Sequence, residues 1–278
     1  MAFTDRPKAH DEIERTEDFF LGARVTGRLG LSDPAFGADR RALIFEATAG
    51  QGRMHASALV RDGGTLQIGI GELGDAIVYC LQLRHRQNAI WRQLLEEGGI
   101  RARSAAPIEE IGGTEAFQQG LYGCSEMFVD GYLDLYRSGV LKRRVFPHLE
   151  LQRLLNEGKV GERVTPELLE QLVAAGLPAR LNERDFTALQ HVGVFSRECR
   201  FSDGRICLPS GTWLEADLGD AEVRGKLASS ALGVRLRNGV LMHGGFFLGP
   251  KGFYAALREL PESERRQFNM RNSSVRPS

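Results

Sequence analysis

Thr65-Leu66-Gln67-Ile68-Gly69-Ile70-Gly71-Glu72-Leu73-Gly74-Asp75-Ala76 carries a short strand straight into glycines and then into the start of a helix. The strand is expected from its β-branched residues, Thr65, Ile68 and Ile70. A helix is expected from about Asp75 to Glu97. Its apolar positions are Ala76, Ile77, Cys80, Leu81, Leu83, Ile90, Leu94 and Leu95, and Gly98-Gly99 is its stop. Strand, glycine turn and helix open a βα unit, so a parallel sheet is the leading architecture.

The same pattern returns downstream. Leu121-Tyr122-Gly123-Cys124 reads as a strand, and Ser125 to Tyr136 as a helix closed by Ser138-Gly139. Between Leu149 and Gly193 the style changes to three helical segments, LELQRLLNEG, TPELLEQLVAAG and NERDFTALQHVG. The last two open with Thr165-Pro166-Glu167 and Asn182-Glu183-Arg184-Asp185, a capping residue before acidic first-turn residues. A hairpin follows around Asp203-Gly204, flanked by Cys199 to Ser202 and Arg205 to Cys207. Val240-Leu241-Met242 reads as a buried strand that continues through His243-Gly244-Gly245 to Phe246-Phe247-Leu248-Gly249. A helix from Phe253 to Leu260, stopped by Pro261, is the last strong element. Upstream, GRMHASALV over 52–60 is helical and ends at Arg61-Asp62-Gly63-Gly64. Residues 1–50 read as an acidic helix near Asp11 to Asp18, followed by loop through Gly22, Gly27, Gly30 and Gly37.

Composition narrows the function classes. The 278 residues hold 36 Lys+Arg against 36 Asp+Glu, a net charge of zero that removes the long-range attraction driving non-specific binding to nucleic acid or anionic membranes. No stretch approaches the ~20 apolar residues of a membrane helix, and Met1 to His10 lacks a signal-like apolar run, so a soluble cytoplasmic protein is expected. The four cysteines are far apart with no CxxC pair, which favours buried thiols over disulfides or zinc. Glycine, at 33 residues or about 12% against a typical ~7%, signals tight turns or close backbone approaches.

Two segments could carry chemistry. Glycines at the end of a strand and the start of a helix let a ligand touch the backbone, and free N–H groups there can bind an anion or a developing oxyanion. A tight βα turn without ligand has the same glycines. A dinucleotide site is less favoured: Gly69-x-Gly71-x-x-Gly74 fits the spacing, but the acidic residues about 20 positions on, Glu96 and Glu97, end a helix rather than a strand. In the second segment, Tyr122 to Gly131, Glu126 stands just past a strand at an expected helix start. It is read either as a site carboxylate or as a first-turn glutamate that complements the helix dipole. Ser125 could orient Glu126 or cap the helix, and capping is favoured. His55, His85 and His191 lack metal-ligand spacing, whereas His243, at a strand end before two glycines, is held as a site candidate. Arg84, His85 and Arg86 form a small basic cluster that could meet phosphates or form a solvated helix face, and the solvated face is favoured.

Together the segments resemble the acetyl-CoA hydrolase/transferase family, which includes the 4-hydroxybutyrate CoA-transferases. The resemblance rests on DGGTLQIGIGELGDAI (62–77), YGCSEMFVDGYLDLYRSGV (122–140) and the Phe246 to Pro250 segment with FYAALRELPESER (253–265), the last similar to the family's longer bacterial members. It covers roughly Leu59 to Met270. Glu72 and Gly74 stand where shorter members have glycine and proline, and Cys124 where they often have histidine.

The resemblance implies a glutamate nucleophile, Glu126, that attacks an acyl-CoA thioester to give a mixed anhydride and then a glutamyl-CoA thioester. Backbone N–H groups around Gly69, Ile70, Gly71 and Glu72 would hold the CoA thioester and its oxyanion. A carboxylate acceptor gives CoA transfer, and water gives hydrolysis. Coenzyme A is then a substrate, with no permanently bound cofactor and no metal. The expected partners are acyl-CoA and a small carboxylate, without nucleic acid or membrane, in a homo-oligomer or with a complementary chain. The implied fold is a CoA-transferase-like open, mostly parallel α/β sheet flanked by helices. Residues 1–51 are then an extension or remnant of a preceding domain, and 52–278 an α/β domain with a helical and hairpin insert at about 145–235. Little of the chain matches the family's first domain or the later blocks of its second. The chain is therefore expected to be partial, the alternative function being an incomplete fragment or partner subunit.

Overall fold

The computed structural model describes the backbone of residues 23–31, 40–47 and 52–270, and the side chains of residues 54–270. The chain divides into two compact units, Met1–Arg143 with Leu241–Ser278, and Arg144–Val240.

The first unit includes an antiparallel pair, β1 (Ala23–Leu31) and β2 (Arg40–Ala47), paired from Ala23 opposite Ala47 to Leu31 opposite Arg40 with a register shift between Val25 and Gly27. This corrects the reading of a loop through Gly27 and Gly30. The glycines, and a register shift between Val25 and Gly27, break the period-two pattern by which a strand would be read. The helix expected near Asp11 to Asp18 lies outside the described residues. Next come α1 (Gly52–Leu59), β3 (Thr65–Leu66), α2 (Glu72–Arg86), α3 (Asn88–Glu97) and α4 (Ile100–Glu110). The single helix expected to end at Glu97 is thus two. Gln87 leaves helical backbone at φ −133°, and Asn88 Nδ2 donates to the Arg84 carbonyl, which a continuing helix would have used, and to the Thr114 carbonyl. Pro107 and the kink at Ser104 hide α4 from periodicity.

After α4 the chain enters β4 (Tyr122–Cys124), β5 (Met127–Phe128) and α5 (Asp130–Ser138). The helix expected from Ser125 therefore starts at Asp130, with Val129 as its N-cap and no side-chain cap, so Ser125 does not cap it. Met127 and Phe128 are held extended by a parallel pairing with Phe246 and Phe247.

The second unit follows as α6 (Leu149–Asn156), α7 (Leu168–Ala174), α8 (Glu183–His191), β6 (Arg200–Ser202), β7 (Arg205–Cys207), β8 (Trp213–Glu215) and α9 (Ala221–Ser230). All three expected helices form, and Asn182 caps α8 by accepting from Asp185 N–H at 2.9 Å. The hairpin turns at Asp203 and Gly204, both at positive φ (50° and 73°), as a tight two-residue turn requires. Leu151, Leu169, Leu172, Phe186, Leu189, Phe195, Ile206 and Leu227 are buried in its core, and Val145 and Val240 exchange two backbone hydrogen bonds of 2.9 Å where the unit opens and closes.

His148 caps α6, its Nδ1 accepting from Leu151 N–H at 3.5 Å, and burial lowers its pKa below the usual 6.5 against weaker opposition from Glu150 and Asp185. Below about pH 6.5 the unfolded chain binds this proton more readily than the folded one. The stability His148 contributes is complete above that pH and is lost as pH falls through the lowered value. His148→Gln is expected to shrink the drop in urea midpoint between about pH 7 and about pH 5. An unchanged drop would assign it to other groups.

Chain returns to the first unit through β9 (Met242–Gly244), β10 (Phe246–Phe247), α10 (Lys251–Glu259), α11 (Glu262–Arg265) and β11 (Phe268–Met270). The expected parallel sheet is present: β11, β9, β4 and β3 lie side by side in that order, all parallel. Leu66, Ile68, Val78, Leu81, Phe128, Tyr132, Leu133, Met242, Phe253 and Phe268 are buried together in its core. Trp91, Leu95, Ile100 and Ile108 form a second apolar cluster with α1. Among the described residues no helix is long and apolar enough to cross a membrane.

Candidate functional site

The carboxyl ends of the parallel strands gather the two motifs. A cleft of about 260 Å³ is lined by Gly69, Ile70 and Gly71, by Val129 and Asp130, and by Leu248 and Gly249, with Asp75 from the first turn of α2. Each of the first three groups lies just past a parallel strand, β3, β5 or β10, where ligands of open α/β sheets bind.

The glycine motif folds for identifiable reasons. β3 pairs with β4 only at Thr65 and Leu66, after which the chain leaves the ladder. Gly71 then takes φ +106°, open to glycine but strained for other residues, and caps α2 without a side-chain hydrogen bond. The leading N–H groups of this 15-residue helix therefore begin beside the cleft. Gly74 is required by contact: a Cβ there would stand 2.4 Å from the Gly69 carbonyl oxygen. Ile70 is 64% exposed, and Glu72, also exposed, is not among the lining residues.

The glutamate motif sits where two neighbouring strands kink together. Ser125 N–H donates to the His243 carbonyl (3.1 Å), and the Glu126 carbonyl accepts from Gly245 N–H (2.7 Å) and Phe246 N–H (3.2 Å). The backbone of Glu126 is thus gripped by the adjacent chain while its side chain is exposed. Glu126 does not line the cleft, and its position four residues before α5 removes the helix-dipole reading. Ser125 Oγ instead lies 3.4 Å from the Ile68 carbonyl, linking the residue before the glutamate to the residue before the glycines.

Negative charge dominates this edge. Burial pushes the Asp134 carboxyl up, Asp130 and more weakly Asp75 add to the shift, and Arg137 opposes it. Cys124 is exposed, and partial burial of its thiol pushes its pKa up, away from the reactive thiolate.

His243 is fixed within the sheet. Its Nδ1 hydrogen-bonds the Tyr122 hydroxyl on β4, and its Nε2 meets Asn269 Nδ2 of β11 at 3.2 Å, so the ring ties three adjacent strands. Of the basic cluster, Arg86 is exposed as read, and the correction falls on Arg84. Arg84 is 1% exposed, and its guanidinium donates to the carbonyls of Glu115 (2.8 Å), Ser57 (2.9 Å) and Val60 (2.5 Å). It is a core residue, not part of a solvated face. Among the described residues no group of three or more His, Cys, Asp and Glu side chains could hold a metal ion.

Sequence reasoning missed Tyr132. Its hydroxyl accepts from Ile68 N–H and donates to the Leu66 carbonyl, both at 3.0 Å, from a position that helix periodicity marks only as apolar core. No family model, curated protein or solved structure matches the chain.

Proposed function

We propose that the chain acts on acyl-CoA thioesters as a CoA-transferase or acyl-CoA hydrolase with Glu126 as nucleophile. The observation that carries this reading is the meeting of the two motifs at one sheet edge, joined by the Ser125 to Ile68 contact. The Glu126 carboxylate attacks the thioester carbonyl, the C–S bond breaks, and CoA leaves as thiolate from a mixed anhydride. Thiolate attack on the glutamyl carbonyl then releases the carboxylate and leaves a glutamyl-CoA thioester. The oxyanion of each step is served by the uncapped N–H groups of the 69–72 turn and α2.

Charge limits what enters the cleft. Asp75 and Asp130 repel the phosphates of CoA, so the cleft takes the neutral acyl end, beside Ile70, Val129 and Leu248, and the nucleotide lies outside it. With acetyl-CoA and propionate, chromatography should show propionyl-CoA; with acetyl-CoA alone, slower release of free CoA. Folded protein that produces neither contradicts the reading.

A further inference from the structure

We propose that Tyr132 is a positioning residue that holds the glycine turn in place against the Glu126 segment, an inference that rests on Glu126 being the nucleophile. β3 loses its strand partner after Leu66, so the chain leading into Gly69 needs another anchor. The Tyr132 hydroxyl supplies it, accepting from Ile68 N–H and donating to the Leu66 carbonyl at 3.0 Å each. Ser125 reaches the same residue, with its Oγ 3.4 Å from the Ile68 carbonyl. The buried phenol and the residue before the glutamate therefore meet at Ile68, the residue before the glycines.

Two glycines make room for it. A Cβ on Gly123 would meet Met242 Sδ at 2.6 Å and the Tyr132 ring at 3.1 Å, and one on Gly131 would meet Val78 at 2.8 Å and Ile68 at 3.3 Å. Gly123 thus lets the ring lie against β4, and Gly131 lets α5 approach α2 and the end of β3. Burial pushes the Tyr132 pKa up to about 12, so the phenol keeps the proton it donates to Leu66 throughout the working pH range.

A displacement of about 1 Å in such a site costs up to about 10²-fold in rate, whereas distant substrate contacts are unaffected. Tyr132→Phe keeps the ring and removes only the anchor. It is expected to raise amide hydrogen exchange in the peptide spanning Ile68 to Gly71, and to lower kcat by about 10- to 100-fold with KM for acetyl-CoA within about 3-fold. Wild-type exchange in the variant, or faster exchange with unchanged kcat, overturns the proposal. A kcat loss in the variant without faster exchange does so as well. If Tyr132→Phe does not fold cooperatively, Ser125→Ala decides by the same two readouts with smaller changes. Wild-type protein that shows the expected Ile68 to Gly71 protection yet forms no borohydride-reducible glutamyl thioester overturns the Glu126 reading, and the catalytic part of this proposal with it.

Discussion

Glu126→Gln is expected to abolish formation of the glutamyl thioester and to lower turnover at least ~10³-fold, while leaving stability within about 0.5 kcal/mol of wild type. The amide has the size of the carboxylate but cannot attack a thioester carbonyl to give the anhydride. Glu126 is exposed, and the backbone bonds from Gly245 and Phe246 go to its carbonyl, which the substitution keeps. Glu126→Asp withdraws the carboxylate by one methylene and is expected to lose about 10²-fold by misplacement alone. Turnover measured beside urea denaturation separates loss of chemistry from loss of fold. Full activity in Glu126→Gln would remove the nucleophile from the mechanism.

Arg84→Met should destabilise the first unit by about 3 to 5 kcal/mol, a large part of a typical folding free energy. The guanidinium supplies donors to three backbone carbonyls at the ends of α1 and the 113–120 segment, and lies 4.3 Å above the Phe117 ring and 5.4 Å from that of Trp91. Burial lowers its pKa from the usual range to about 10, with Asp62 and Glu115 opposing, so it stays charged at neutral pH. Methionine fills much of the volume but leaves the carbonyls unsatisfied, at about 1 to 3 kcal/mol per buried group. Arg84→Lys keeps the charge yet loses the planar fork and is expected to recover only part of the loss. The check is the urea midpoint at constant slope. A shift below about 0.5 kcal/mol would show that water satisfies these carbonyls.

What the sequence discloses follows from how local each interaction is. The α8 cap at Asn182 and the Asp203-Gly204 turn are decided by neighbours within three residues, and both form as read. The parallel sheet was legible because each strand leads into glycines and a helix. The placement of Glu126 was not, since Met127 and Phe128 owe their extended shape to partners more than 100 positions away. Arg84 failed for the same reason, its carbonyl partners lying 24 to 31 positions distant. The candidate site was legible as two motifs; the Tyr132 hydroxyl, 64 positions from Ile68, that joins them was not.

One covalent bond decides whether Glu126 is the nucleophile. Folded protein incubated with acetyl-CoA and reduced with borohydride, then digested, should yield the peptide containing Glu126 with its side-chain carboxyl converted to an alcohol. The modification should be absent without acetyl-CoA and absent in Glu126→Gln. An unmodified Glu126 peptide under saturating acetyl-CoA, or the same modification on another carboxylate, contradicts the account.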